Sequence, residues 1–214
     1  AIPPLLGHGK VRRRVSRSRR AWAGPLGAAA VAAASSSRAG ADDRPQAAAS
    51  CSVEELLHVA KRAAEAGAEV VTASVDNPKG VAFKGSNLDL VTETDKASEA
   101  ACLAVIEAAF PEHAILGEEG GVAGNTASEY LWVIDPLDGT TNFSRGYPSF
   151  AVSVAVLRHG TPLAATVVEF VGGPQAWSTR TFTASRNRGA FCNDIPISVS
   201  RVAELSKSLL VWGG

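Results

Sequence analysis

Phe150-Ala-Val-Ser-Val-Ala-Val-Leu157 and Leu163-Ala-Ala-Thr-Val-Val-Glu-Phe-Val171 are the two stretches that decide the fold class. Both are rich in β-branched residues, and Arg158-His-Gly160 punctuates the gap between them. A third such run, Ala176–Ala184, follows the breaker Gly172-Gly-Pro174. Short β-rich runs joined by turn residues predict a hairpin-linked antiparallel sheet. Upstream the rhythm is helical. Ser52-Val-Glu-Glu55 reads as a capping box, in which serine and glutamate satisfy each other's free amides. Val53, Leu56, Leu57, Ala60, Ala63, Ala64 and Val71 then follow at helical spacing, and Asn77-Pro78 should stop that helix. A second helix is expected over Asp95–Phe110, apolar almost all round and therefore buried, with Pro111 ending it. Ala114–Gly117 and Tyr130–Ile134 read as short buried strands. Helices followed by a β-meander predict an α+β layered domain.

Composition divides the 214 residues into two parts. Residues 1–41 hold eight Lys/Arg and no acid, whereas residues 52–214 hold twelve Lys/Arg against nineteen Asp/Glu. The basic part contains Val11-Arg-Arg-Arg-Val-Ser-Arg-Ser-Arg-Arg20, followed by an Ala/Ser-rich stretch. Arg-rich, Ser-rich and acid-free is the composition of an organelle import segment. A nuclear-localisation patch or a nucleic-acid arm are the competing readings, since clustered arginine pairs with phosphate. The expected organisation is a disordered tail over 1–50 and a folded body over 51–214. Three widely spaced cysteines (Cys51, Cys102, Cys192) form no C-x-x-C pair, which argues against a disulfide framework and a zinc finger. The Ala21–Ser37 stretch is too weakly apolar to span a bilayer. His58, His113 and His159 show no ligand spacing and read as surface or loop residues, and Cys192 as a small packed side chain.

The densest chemical signal is Trp132-Val-Ile-Asp-Pro-Leu-Asp-Gly-Thr-Thr-Asn-Phe143. A strand delivers Asp135, Pro136 fixes a turn, and Asp138 arrives three residues later, so both carboxylates can face one point. Gly139 allows close backbone approach, and Thr140 and Thr141 open a helix whose first amides suit a phosphate. Hard carboxylate oxygens beside a phosphate-binding backbone are what Mg²⁺ requires. Gly117-Glu-Glu-Gly-Gly121 offers two more carboxylates, Glu118 and Glu119, after an apolar strand. Alone, an acidic loop is more often solvated. Asp95, in Asp89-Leu-Val-Thr-Glu-Thr-Asp95, alone reads as a helix N-cap, and Lys84 as a surface lysine.

Together these motifs resemble the inositol monophosphatase family of Mg²⁺-dependent, lithium-sensitive phosphatases, over about residues 52–212. Gly189-Ala-Phe-Cys-Asn193 and Lys207-Ser-Leu-Leu210 look like the family's later strands. Tyr147-Pro-Ser-Phe-Ala-Val-Ser153 and Val167-Val-Glu-Phe-Val-Gly-Gly-Pro174 look most like its plastid-type plant members, which supports chloroplast import of the tail. The resemblance implies a layered α/β sandwich of the sugar-phosphatase type. It also implies that Glu118, Asp135 and the Leu137 carbonyl hold one metal, and that Asp135 and Asp138 hold a second. Asp95 and Thr140, with Glu118, would position and activate the attacking water. The amides of Gly139 and Thr140, beside Asp138, would cradle the phosphate. Lys84 and Glu119 would be auxiliary.

The implied reaction is hydrolysis of a small phosphorylated sugar or polyol, myo-inositol monophosphate first. Fructose bisphosphate, nucleotide bisphosphates, galactose 1-phosphate and histidinol phosphate are alternatives. No nucleic-acid or membrane partner is implied, and a homodimer is expected at full length. A further metal-ligating aspartate of the family, in a Trp-Asp motif, has no counterpart: Trp212 is followed by Gly-Gly. The body is therefore expected to be the N-terminal part of the domain with its second α/β layer missing. A truncated non-catalytic chain, poorly soluble and nearly inactive alone, is the alternative of another class.

Overall fold

In the computed structural model, which describes residues 51–77, 81–83 and 90–209, Ser52 opens the first helix by accepting the Glu55 amide at 3.1 Å. That helix, α1, runs Val53–Ser74 and buries Leu56, Val59, Ala60, Ala63, Ala64, Gly67, Ala68 and Val71, one apolar stripe at helical spacing. The second helix, α2, runs Glu93–Ala109. Its N-cap is Thr92; Asp95 is the third helical residue and completes a capping box, so Asp95 is not the cap itself. Expected burial all round α2 does not hold. Ser98, Glu99, Cys102 and Ile106 are buried, while Lys96, Ala97, Ala100, Ala104, Glu107 and Ala108 are exposed. Alanine reads as apolar but carries so little surface that it tolerates solvent. The helices cross closely at Gly67, where a Cβ would come within 2.7 Å of Cys102 Sγ and 2.8 Å of Ser98 Oγ. The tail and Lys84 lie outside the described residues.

A small antiparallel pair, β1 (Val81–Phe83) with β2 (Leu90–Thr92), precedes α2. The main sheet comprises β3 (Ala114–Gly117), β4 (Gly121–Gly124), β5 (Tyr130–Asp138), β6 (Phe150–Arg158), β7 (Thr161–Val171), β8 (Ser178–Ser185), β9 (Gly189–Cys192) and β10 (Ile195–Ile197). Its order is β10-β9-β8-β7-β6-β5-β3-β4. Among the described residues only the β3–β5 pairing is parallel; the meander from β5 to β10 is antiparallel, as the turn residues predict. Three boundaries differ from the sequence reading. β5 continues past Ile134 to Asp138, with its register to β6 broken between Asp135 and Asp138. Gly121–Gly124 forms a strand that hairpins back on β3. Lys207 lies in a single 3-10 turn, Leu205–Lys207, rather than a strand.

Both helices cover one face of the sheet, and the core lies between. Trp132, Ile134, Val152, Val154, Val156, Val168 and Phe170 point into it at 2% exposure or less. Each such side chain contributes roughly 1.5–3 kcal/mol of transfer free energy. The strict alternation along β6 leaves Ala151, Ser153, Ala155 and Leu157 half-buried on the opposite face. The described residues thus form an α+β fold with α1 and α2 on one side of an extended sheet, the fold class that the sequence predicts.

Candidate active site

Capping chemistry places the first group. Asp95 is 2% exposed, and both its oxygens are engaged. Oδ2 accepts the Thr92 amide at 2.8 Å and the Thr92 hydroxyl at 2.5 Å. Oδ1 accepts the Thr140 hydroxyl at 2.9 Å. The Leu137 carbonyl lies 3.1 Å from the same hydroxyl. One proton therefore ties α2 to the turn that follows β5.

The break in register at the end of β5 shapes the second group. Residues Asp135–Asp138 leave the regular ladder with β6, and the Leu137 amide folds back to Asp135 Oδ1 at 3.3 Å. Pro136 has no amide to offer the ladder, which suits it to such a break. Asp135 is half-buried, Asp138 is exposed, and Glu118 is exposed in the turn after β3. Burial raises the Asp135 pKa to about 7, and the charges of Glu118 and Asp138 and a side-chain hydrogen bond with Glu118 push it the same way. A carboxyl group held in that state gains from a nearby cation, which removes the repulsion and favours the charged form.

Gly139 follows with a φ of 88°, and a Cβ there would come within 2.7 Å of the Ser149 carbonyl. A side chain is excluded by both conformation and space. The helix that Thr140 opens, α3 (Thr140–Ser144), has only five residues. Beside it lies a cavity of about 510 Å³ lined by Asp138, Gly139, Asn142, Phe150, Glu169 and Arg180, among others. A second concavity, about 430 Å³, lies between α1 and β8–β9 and includes none of the carboxylates above.

The sequence-predicted residues thus fall into two connected sets: Asp95 with Thr140 and Leu137, and Asp135 with Glu118 and Asp138. Among the described residues, no three of His, Cys, Asp and Glu converge as a ready-made metal cage. Two carboxylates and a main-chain carbonyl, the first set that the resemblance implies, do not need one. His113 corrects the sequence reading. It is 7% exposed, stacks on Phe110 and Tyr130, and accepts the Trp132 indole N–H at Nδ1 over 3.0 Å. His58 and His159 are exposed, as expected. Cys192 is half-buried at the end of β9. Sequence reasoning missed Ser98 and Glu99. Their signal was positional: they lie three and four residues after Asp95, on the same helix face.

Comparisons with known proteins give the family and the fold. Residues 52–213 match the profile described as the inositol monophosphatase family. The chain is 58% identical over 158 residues to Phosphatase IMPL1, chloroplastic, of Arabidopsis thaliana, covering 74% of this chain and 42% of that protein. The inositol monophosphatase of Anabaena sp. PCC 7120 superposes with a TM-score of 0.59 at 38% identity, over 73% of this chain and 54% of that one. An IMPase/NADP phosphatase complexed with Mg²⁺ and phosphate superposes with a TM-score of 0.50 at 30% identity, over 59% and 46%. The chain spans about half the length of the relatives it matches.

Proposed function

The chain belongs to the inositol monophosphatase family, and from that premise we propose that its protein is a Mg²⁺-dependent phosphatase of small phosphorylated polyols, myo-inositol monophosphate first. The observation that carries the reading is the crowding of Glu118 and Asp138 around half-buried Asp135, whose carboxyl is pushed up to about 7. Three acidic groups arranged at mutual cost are explained by a cation that they serve. The printed description of a similar structure, complexed with Mg²⁺ and phosphate, supports the choice of ion.

Glu118, Asp135 and the Leu137 carbonyl would hold one ion, and Asp135 with Asp138 would contribute to a second. When bound, Mg²⁺ supplies charge neutralisation and Lewis acidity towards phosphoryl oxygens. The chain's own groups do the rest. Asp95 fixes the Thr140 hydroxyl through its 2.9 Å bond, so Thr140, with Glu118, orients the attacking water. The Gly139 and Thr140 amides receive the phosphate; the bare Gly139 Cα leaves room for it. Lys84 and Glu119 would serve as auxiliary groups, as the resemblance implies. In-line attack then releases the alcohol without a phosphoenzyme.

The protein is further proposed to act in the chloroplast, as the printed name of its Arabidopsis relative suggests, and as a homodimer. No nucleic-acid or membrane partner is proposed. The second reading, a non-catalytic chain, draws on the half-buried sheet face bearing Ala151, Ala155 and Leu157.

The test is Mg²⁺-dependent phosphate release by the 214-residue chain from inositol 1-phosphate, fructose 1,6-bisphosphate, galactose 1-phosphate and histidinol phosphate, beside Asp138→Asn. Release fastest from inositol 1-phosphate and lost in the variant is the expected result. A different preferred ester would revise the substrate, and no Mg²⁺-dependent release would favour the non-catalytic reading.

A further inference from the structure

We propose that Glu99 is a positioning residue that sets the Glu118 carboxylate against Asp135 by gripping the two backbone amides immediately after it. The inference rests on the metal-site reading above and adds a residue outside the ligand set. Glu99 is 4% exposed, one helical turn beyond Asp95 on α2. Its Oε2 accepts the Glu119 amide at 2.8 Å, and its Oε1 accepts the Gly120 amide at 2.6 Å. Both oxygens are thus spent on consecutive amides of the turn that carries Glu118. Charge-assisted hydrogen bonds of this length are the stronger kind.

The turn is built around that carboxylate. A Cβ on Gly117 would come within 2.5 Å of Glu99 Oε2, and one on Gly120 within 2.9 Å of Oε1. Gly117 and Gly120, which bracket the two glutamates, leave the room that the carboxylate fills. Their place in Gly117-Glu-Glu-Gly120 is therefore explained by a side chain eighteen residues upstream of Gly117, not by turn geometry alone.

The same helix face holds the other half of the site. Ser98, fully buried, donates to the Pro136 carbonyl at 2.8 Å, between Asp135 and Leu137. Asp95 holds Thr140 at 2.9 Å. Three side chains within five residues of one rigid helix thus reach the turn after β3, the break in β5 and the start of α3. The helix fixes how far Glu118 stands from Asp135 before any ion arrives. Preorganisation of this kind lowers the cost of assembling the ligands.

The test uses the 214-residue chain, with Mn²⁺ alone as the probe and calorimetry as the readout, alongside amide hydrogen exchange. Glu99→Gln keeps the volume but turns an NH₂ towards one of the two amides, which it cannot accept. The expected result is faster exchange at Glu119 and Gly120 and Mn²⁺ binding weaker by about 10–100-fold, the usual loss for such supporting partners, with cooperative melting retained. Gly120→Ala, which presses on Oε1 from the loop side, should weaken Mn²⁺ binding in the same direction and carries the test if Glu99→Gln does not fold. Exchange that quickens without loss of Mn²⁺ affinity assigns Glu99 a purely structural role and overturns the inference. Unchanged exchange overturns it as well. Wild-type protein that binds no Mn²⁺ sinks the metal-site reading and this inference with it; wild-type binding matched by the variant sinks the inference alone.

Discussion

Strand β5 meets one imidazole at its first residues and three carboxyl groups at its last, and both ends lie against α2 or the loop that leaves it. At the first end, His113 is stacked between Phe110 and Tyr130 with ring centroids 4.6 and 4.5 Å away. Burial lowers its pKa, and the Trp132 indole donates to Nδ1. The neutral ring with its proton on Nε2 therefore satisfies every neighbour, the Cys51 Sγ at 3.9 Å included. At the far end, burial again favours the neutral form, but there it acts on Asp135 with Glu118 and Asp138 beside it. One end has resolved the cost of burial within the chain. The other leaves it for something outside the chain to resolve. That difference is what the proposed function rests on, since a titratable group perturbed by burial can serve structure as well as chemistry.

The comparison breaks most visibly on metal affinity. Asp135→Asn should weaken Mn²⁺ binding by more than about 100-fold, beyond the loss usual for a supporting residue; calorimetry reads it. Trp132→Phe, at the other end, should leave Mn²⁺ affinity unchanged. It should cost about 1–3 kcal/mol in urea unfolding, because His113 Nδ1 loses its donor in a buried site. Equal effects of the two substitutions on metal binding would show that the ends are not separate.

The pH dependence of stability should differ in sign between the ends. The folded Asp135 pKa lies above its unfolded value, so its contribution is fully present below about 4 and is lost as pH rises to about 7. His113 has a lowered folded pKa, so its contribution is present above about 6.5 and is lost as pH falls through the folded value. Metal-free protein with Asp135→Asn should lose the decline on the alkaline side and keep the one on the acid side, as thermal melts across pH would show. The smallest effect is spectroscopic: nitrogen NMR should find His113 protonated at Nε2 only, titrating below the usual histidine range. A charged ring at neutral pH would contradict the stacking account.

Much of this was legible without coordinates. The helix at Ser52, the meander from Phe150 and the Asp135–Thr140 motif rest on local rules of capping, alternation and turn chemistry, which a neighbouring residue or two can enforce. The failures share a cause. The burial of α2 was overestimated because its alanines read as core although they face solvent. His113 was misread because nothing adjacent in sequence announces that Phe110, Tyr130 and Trp132 surround it. Asp95 reads alone as a helix N-cap; Thr92 sets its N3 position locally, but its bond to Thr140 spans forty-five residues of sequence.

The sequence by itself determined which residues could bear the chemistry and in what order the elements run, because residue type and periodicity are local properties. Tertiary structure decided which carboxylates meet. Glu118 and Asp138 come within electrostatic reach of Asp135 because β3 lies parallel to β5 and the register of β5 breaks at its end. Glu99, Ser98 and Asp95 become a shared support because α2 lies across both loops. Charge repulsion, desolvation and hydrogen bonding act through distances in space, and only the packed chain sets those.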